Sequence, residues 1–146
     1  MEESMSLFLG IREEFDCKPV DIRTYSPLTL AFVGDCVYDL VIRTVVVERG
    51  NTAPNTLHQK KSAVVKSQAQ AAQAEAILEE LTEEEQAVYK RGRNAHSHSS
   101  AKNASIGDYR KATGLEALYG FLYLTDQTKR LLELVRKSLE LTGMTI

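Results

Sequence analysis

The sequence has no tryptophan, only three prolines and only two cysteines among its 146 residues. Two cysteines, Cys17 and Cys36, are too few for a disulfide-dependent scaffold, so we expect free thiols in a reducing cytoplasm. No apolar run is long enough to span a membrane, because Asp35, Asp39 and Arg43 interrupt the best candidate. An excess of basic residues is also missing, since the formal charge is −2. These absences exclude a secreted disulfide scaffold, a membrane-spanning protein and a uniformly basic nucleic-acid binder.

The patterns that are present favour helices along the whole chain. Ser26 followed by Pro27 is typical of a helix start, and Gly50 ends the same helix. A second helix is predicted over 56–81 with a break near Ser67, and a third runs from a capping box at Thr82 and Glu85 toward Arg91. A fourth is predicted over 108–124. The last helix follows a cap at Asp126, and its inward-facing residues are Leu131, Leu132, Val135 and Leu139. We therefore predict one all-α domain over 1–146, with a core over 25–141 and a lead segment over 1–24 that contains one irregular helical turn.

Two predicted helices are apolar around most of their circumference, and each carries acids in these surroundings. Asp35 and Asp39 are four residues apart in the first helix, so they share one face, and Glu116 lies within the second. Facing helices of a bundle commonly build carboxylate metal sites in this way. Oxygen ligands without histidine or cysteine suit Mg²⁺ or Mn²⁺. A rim position, or an ion pair with Arg43 or Arg110, is the other explanation that the spacing leaves open.

Basic residues collect in one stretch of this mildly acidic chain, between 86 and 111. Such a surface can bind a polyanion, and double-stranded RNA fits best because no aromatic residues are interleaved in KRGRNAHSHSSAKN for base stacking. Helix capping at an end formed by Gly92, or an ordinary solvated face, is the alternative. His96 and His98 lie in a serine-rich loop and are assigned no metal role. The candidate RNA-binding residues are Arg91, Arg93, Asn94, Lys102, Arg110 and Lys111, with Lys60, Lys61 and Lys66 as a second patch.

Several stretches of the chain resemble one known family. LAFVGDCVYDLVIR is similar to the signature helix of the ribonuclease III endonuclease domain, in which an aromatic residue, an aliphatic residue, glycine and aspartate follow one another. GLEALYGFLYL is similar to the second catalytic helix of that domain. Within that family the chain resembles Mini-ribonuclease III, the compact bacterial form, in the stretches KRGRNA and YRKATGLEALYG. It also resembles that form because no double-stranded-RNA-binding domain is recognised. The resemblance covers 25–141 and implies the helical bundle of the ribonuclease III endonuclease domain.

This resemblance implies a homodimeric endoribonuclease that cuts double-stranded RNA with Mg²⁺, for which Mn²⁺ can substitute. Asp35 and Glu116 take the positions of the catalytic metal ligands, and Phe32 takes that of an aromatic residue that locks the dimer. The compact form is associated with maturation of the 23S ribosomal RNA precursor. We accordingly expect a cytoplasmic enzyme with a ribosomal protein as a candidate helper and no membrane partner.

The chain also departs from the full-length members of that family. Leu28, Ala31 and Thr113 stand where those members carry further acids. Asp35 and Glu116 are therefore expected to hold the metal with fewer carboxylates, while Asp39 and the Thr113 hydroxyl act beside the ligands. The reduced set of acids also favours a different function, a non-catalytic RNA-binding or ribosome-assembly protein on the same fold. A helical protein-interaction module with an incidental basic region is the third alternative.

Overall fold

The protein is described by a computed structural model over residues 6–95 and 105–146. In these ranges it is all helical, as the sequence predicts, with two 3₁₀ turns and no strand. The α-helices are α1 (Leu7–Glu14), α2 (Pro27–Glu48), α3 (Pro54–Val65), α4 (Ser67–Ile77), α5 (Glu83–Arg93), α6 (Ile106–Leu124) and α7 (Thr128–Thr142). The 3₁₀ turns span Ile22–Thr24 and Leu78–Glu80.

Side chains at the helix ends explain where the helices begin. The Ser26 hydroxyl accepts a hydrogen bond from the Thr29 amide at the start of α2, and Thr82 and Glu85 form the predicted capping box of α5. The predicted break near Ser67 is confirmed, because extended backbone at Lys66 separates α3 from α4. Helices α3 and α6 begin two residues earlier than the sequence pattern indicates.

Four local predictions are wrong. The lead segment contains a regular two-turn helix, α1, whose N-cap is Ser6. Asp126 does not cap α7; it has a left-handed φ of 55° and its carboxylate accepts a hydrogen bond from the Ser6 hydroxyl, 3.0 Å away. Gly92 does not end α5, because it is buried in the last helical turn against α6. Leu132 points outward, since α7 packs inward through Leu131, Leu134 and Val135 instead.

Helix α6 is the centre of the bundle and packs against α2, α4, α5 and α7. Its middle is almost entirely buried, from Ala112 to Leu122 with Glu116 partly exposed. Burial on all sides agrees with the sequence of α6, which is apolar around most of its circumference. Helix α2 is buried on one side only and leaves apolar side chains exposed on the other. No helix in the described ranges is long and apolar enough to cross a membrane.

Two glycines bring α2 and α6 into backbone contact. A Cβ atom on Gly34 would lie 1.7 Å from the Glu116 carbonyl oxygen, and one on Gly120 would lie 1.9 Å from the Leu30 carbonyl oxygen. Any side chain at either position would force the helices apart. Because Asp35 follows Gly34 and the Glu116 backbone lies against it, this crossing sets the positions of both acids.

Candidate active site

The structure brings Asp35 of α2 and Glu116 of α6 together beside the glycine crossing. Asp35 is exposed, whereas Glu116 is partly buried. Burial, then a hydrogen bond to Asp35 and the negative charge of Asp35, raise the pKa of Glu116 to about 9. Two carboxyl groups at such proximity do not both ionise readily unless a positive charge lies beside them.

The described part of the chain supplies no such positive charge. None of its ion pairs involves Asp35 or Glu116, and Arg43, one of the alternatives considered above, pairs with Asp39. Nor do three or more histidine, cysteine or acidic side chains gather there around one point. Asp35 and Glu116 therefore form an acidic pair that its described protein surroundings leave without a cation.

Thr113 lies one turn before Glu116 on α6 and lines the same opening. Its hydroxyl donates a hydrogen bond to the Tyr109 carbonyl oxygen at 2.9 Å. The Thr113 hydroxyl hydrogen is therefore used by the backbone. The hydroxyl oxygen can still accept a hydrogen bond in the opening that contains the acidic pair. Thr113 therefore does not replace the missing acid in charge.

Two stacked tyrosines lie one helical turn beyond the acids. Tyr38 follows Asp35 by three residues and Tyr119 follows Glu116 by three, and their rings stack with centroids 5.3 Å apart. The Tyr38 hydroxyl donates a hydrogen bond to the Gln73 side-chain oxygen at 2.5 Å, and the Gln73 side-chain nitrogen donates to the Val64 carbonyl oxygen. This buried network ties α2 to the α3–α4 junction directly behind the acidic pair.

Asp39 lies one turn after Asp35 and bonds to two cations. Its carboxylate accepts a hydrogen bond from Arg43 Nε at 2.6 Å and lies 3.5 Å from Lys61 Nζ. Lys61, on α3, has a side chain only 14% exposed. Asp39 therefore connects α2 to α3 electrostatically, a contact that sequence spacing did not reveal because Lys61 is distant along the chain.

An apolar groove of about 1090 Å³ adjoins the acidic pair, between α1, α2, α6 and α7. Phe32, one turn before Cys36 on α2, lies at this groove with 80% of its surface exposed. Sequence reasoning missed the part that α1 takes in it, although the apolar spacing of Leu7 and Ile11 was visible. The exposed large apolar residues that line the groove are Leu7, Ile11, Leu28, Phe32, Leu40 and Leu132.

The predicted RNA-binding residues have different surroundings. Arg93 lies over the Tyr89 ring at 5.8 Å, and Lys111 pairs with Glu75 of α4. The charges of both cations act on the Tyr89 hydroxyl, whose pKa burial raises, so Arg93 and Lys111 lie near one another. Lys102, with His96 and His98, lies outside the described residues. The exposed members of the set are Lys60, Lys66, Arg91, Asn94 and Arg110.

Known proteins resemble this chain in sequence and in fold. The model of the ribonuclease III domain matches residues 28–127. Mini-ribonuclease 3 of Enterococcus faecalis is 47% identical over 127 residues, which cover 86% of this chain and 96% of the relative. Mini-ribonuclease 3 of Thermoanaerobacter is 41% identical and covers 96% of this chain and 97% of the relative. A crystal structure of a Fusobacterium nucleatum protein is 30% identical, with a TM-score of 0.76 over 84% of this chain and 99% of that one. The chain belongs to the ribonuclease III family and is similar to its Mini-ribonuclease 3 members.

Proposed function

We propose that the protein is an endoribonuclease that hydrolyses phosphodiester bonds of double-stranded RNA at Asp35 and Glu116, with Mg²⁺ as cofactor. The single observation that supports this most is the acidic pair itself. Its Glu116 has a pKa raised to about 9 because burial and Asp35 disfavour its charge. Membership of the ribonuclease III family supports the reaction class.

The donor atoms fit a hard divalent cation. Carboxylate oxygens without histidine or cysteine suit Mg²⁺, or Mn²⁺ in its place, and a cation between the two acids offsets their mutual repulsion. Mg²⁺ usually retains several waters and needs only one or two protein carboxylates, so the reduced number of acids is compatible with one ion. A bound Mg²⁺ would supply Lewis acidity toward the scissile phosphate and lower the pKa of a coordinated water.

The remaining chemistry belongs to the residues of the chain. Asp35 and Glu116 would hold the cation, and the contact between Gly34 and Gly120 fixes the separation of their helices. The Thr113 hydroxyl has acceptor capacity toward a water in the opening. Exposed cations such as Arg91 and Arg110 contact phosphates of the duplex, which affects affinity without reading sequence.

The apolar groove supports a homodimer with Phe32 as its main contact. Exposed apolar patches of this kind mark interaction surfaces, and a two-fold axis pairs each groove with the same surface of a second copy. Two acidic pairs in one dimer then allow one cut on each strand. Replacing Phe32 by alanine should shift sedimentation from dimer to monomer. Phe15→Ala is the matched control, because Phe15 is also highly exposed, at 74%, yet does not line the groove. A wild type that sediments as a monomer would contradict the dimer, and equal sedimentation of the two variants would contradict the role of Phe32.

The natural substrate that we propose is the 23S ribosomal RNA precursor in the cytoplasm, with a ribosomal protein as a candidate helper. This substrate rests on the resemblance of the whole chain to Mini-ribonuclease 3 proteins. A panel of ribosomal RNA precursors, incubated with the protein in Mg²⁺ and mapped for cut ends, tests it. Cleavage near the ends of the 23S precursor supports the assignment, and equal cleavage of every duplex rejects it.

The reaction itself is tested with long duplex RNA in Mg²⁺ and in EDTA. The wild type should cleave only with the cation. Asp35→Asn and Glu116→Gln should both be inactive, whereas Glu140→Gln, a change of an exposed glutamate on α7, should leave cleavage unchanged. A wild type that binds RNA but does not cleave it would favour the non-catalytic RNA-binding function instead.

A further inference from the structure

A second concave site lies farther along α2, away from the acidic pair. It has a volume of about 430 Å³ between the C-terminal half of α2 and the start of α3. Its polar lining carries Arg43, His58, Lys61 and Asn55, and its apolar lining carries Val46, Val47, Pro54 and Leu57. Among the described residues, no acidic side chain lines it. The pocket therefore offers hydrogen-bond donors and positive charge toward its opening.

The cations of this pocket are held in place by Asp39. Arg43 uses Nε to donate to Asp39, so its two Nη groups are directed elsewhere, and within the described ranges they make no hydrogen bond. Lys61 has Asp39 as its only ion-pair partner there, at 3.5 Å. One carboxylate thus orients two cations that belong to different helices. Two cations against one acid leave the pocket with a net positive charge.

The position of the pocket favours a nucleic-acid phosphate as its ligand. Asp35, Asp39 and Arg43 follow at intervals of four residues along α2, so Arg43 lies about 12 Å along the helix axis from the acid that we place at the cleavage site. A duplex seated over Asp35 therefore passes within reach of the Arg43 guanidinium. Guanidinium and ammonium donors suit phosphate oxygens.

We propose that this pocket binds a backbone phosphate of the RNA substrate, with Asp39 as the positioning residue that fixes Arg43 and Lys61. The proposal rests on the proposed function in one respect, that RNA is the substrate. It gives Asp39 a role in seating RNA and none in holding the metal. An acidic segment of a partner protein is the competing ligand.

The test measures binding of a fluorescent RNA duplex in EDTA, where cleavage does not interfere, over a series of salt concentrations. Arg43→Gln and Lys61→Gln should each weaken binding about tenfold and lower the salt slope by about one. Arg136→Gln is the matched control, because Arg136 forms the same kind of i,i+4 ion pair with Glu140 and is similarly exposed. It should bind RNA as the wild type does. Wild-type affinity and slope in Arg43→Gln would overturn the proposal and favour the protein ligand.

Asp39→Asn separates positioning from simple charge. Removing a negative charge near RNA should tighten binding if Asp39 only repels phosphate. If it positions the two cations, binding should weaken severalfold, KM should rise while kcat is retained, and the dependence on Mg²⁺ should stay unchanged. Tighter binding in EDTA, or an altered Mg²⁺ dependence at unchanged affinity, would reject the positioning role. Cooperative thermal unfolding with a midpoint well above the assay temperature shows that each variant is folded.

The arms of this experiment also separate the inference from the proposed function. A wild type that binds duplex RNA in EDTA but never cleaves it in Mg²⁺ contradicts the proposed function and leaves the pocket to be judged by Arg43→Gln. If the wild type cleaves RNA and the Arg43→Gln variant binds RNA normally, the proposed function stands and only the proposal that the pocket binds phosphate is contradicted.

Discussion

Glu85 and Glu116 are both glutamates within the folded bundle, yet their surroundings differ in one respect. Glu85 is 4% exposed, and its carboxylate accepts hydrogen bonds from Arg130 at 2.8 and 2.9 Å. The hydrogen bonds from Arg130 lower its pKa. Glu116 instead faces Asp35, and burial together with that second acid raises its pKa to about 9. The chain itself supplies the cation for one glutamate, whereas the other is suited to a cation from outside.

The largest expected effect concerns catalysis. Glu116→Gln should lower the cleavage rate about a thousandfold or more, because the amide keeps the shape of the side chain but removes the charge that we propose as a metal ligand. Single-turnover cleavage of a labelled duplex measures it. A variant with substantial residual activity would mean that the pair is not the metal site.

The second effect concerns stability and the ion pair between Glu85 and Arg130. Glu85→Gln should lower the free energy of unfolding by about 3 kcal/mol, because it removes the buried carboxylate that accepts two hydrogen bonds from Arg130 and leaves that guanidinium paired with the more exposed Glu133. Urea unfolding in EDTA measures this. Arg136→Gln, which breaks an exposed pair, should change the same quantity by less than about 1 kcal/mol. Similar losses in both variants would show that burial does not distinguish these ion pairs.

The third effect has the opposite sign and depends on pH. Without a cation, the folded state favours protonated Glu116, while the unfolded chain releases that proton above its ordinary pKa of 4.5. The folded state therefore binds more protons between about pH 4.5 and 9, and wild-type stability falls as pH rises through this window. Glu116→Gln removes this loss and should be about 2 kcal/mol more stable than the wild type at pH 7 in EDTA. A pH series of urea unfolding checks it, and parallel curves for the two proteins would contradict the raised pKa.

The same rule gives the reverse direction for Glu85. Its lowered pKa means that the folded state favours the charged form, so this contribution is present at neutral pH and is lost as pH falls through the acid range. Glu85→Gln should therefore be less sensitive to acid than the wild type is. Acid titration followed by circular dichroism measures the difference.

The smallest effect is the response of stability to the cation. Millimolar Mg²⁺ should raise the thermal midpoint of the wild type by about 2 to 4 °C, because a ligand that binds only the folded state stabilises it. Glu85→Gln should keep this increase, since Glu85 does not line the groove that contains the acidic pair, whereas Glu116→Gln should lose it. An equal increase in all three proteins would indicate non-specific binding.

The sequence predicted the helices and the meeting of Asp35 with Glu116, for identifiable reasons. Apolar periodicity marks long helices strongly, and an acid in the middle of each apolar helix is conspicuous because an unpaired buried charge is costly. The resemblance to the ribonuclease III family then selected these two acids. Capping residues such as Thr82 also acted locally, so their prediction was confirmed.

Features that depend on distant contacts were not predictable in this way. Gly92 resembles a helix stop in sequence, but the close approach of α6 makes it an interior position of α5. Aspartate commonly caps helices, yet the Asp126 carboxylate accepts a hydrogen bond from the Ser6 hydroxyl, 120 residues away in sequence. The pairing of Asp39 with Lys61 likewise depends on how α3 folds back on α2. Each is set by packing, which local propensity does not contain.

The most direct test of the acidic pair is calorimetric titration of the wild type with Mg²⁺ at pH 7 in buffers of different ionisation enthalpy. Because Glu116 holds a proton at that pH, binding of the cation between Asp35 and Glu116 should release about one proton per chain. The measured heat should then depend on the buffer for the wild type, and Glu116→Gln should show no such dependence. Mg²⁺ binding with a heat that is the same in every buffer, or binding that Glu116→Gln leaves unchanged, would contradict the assignment.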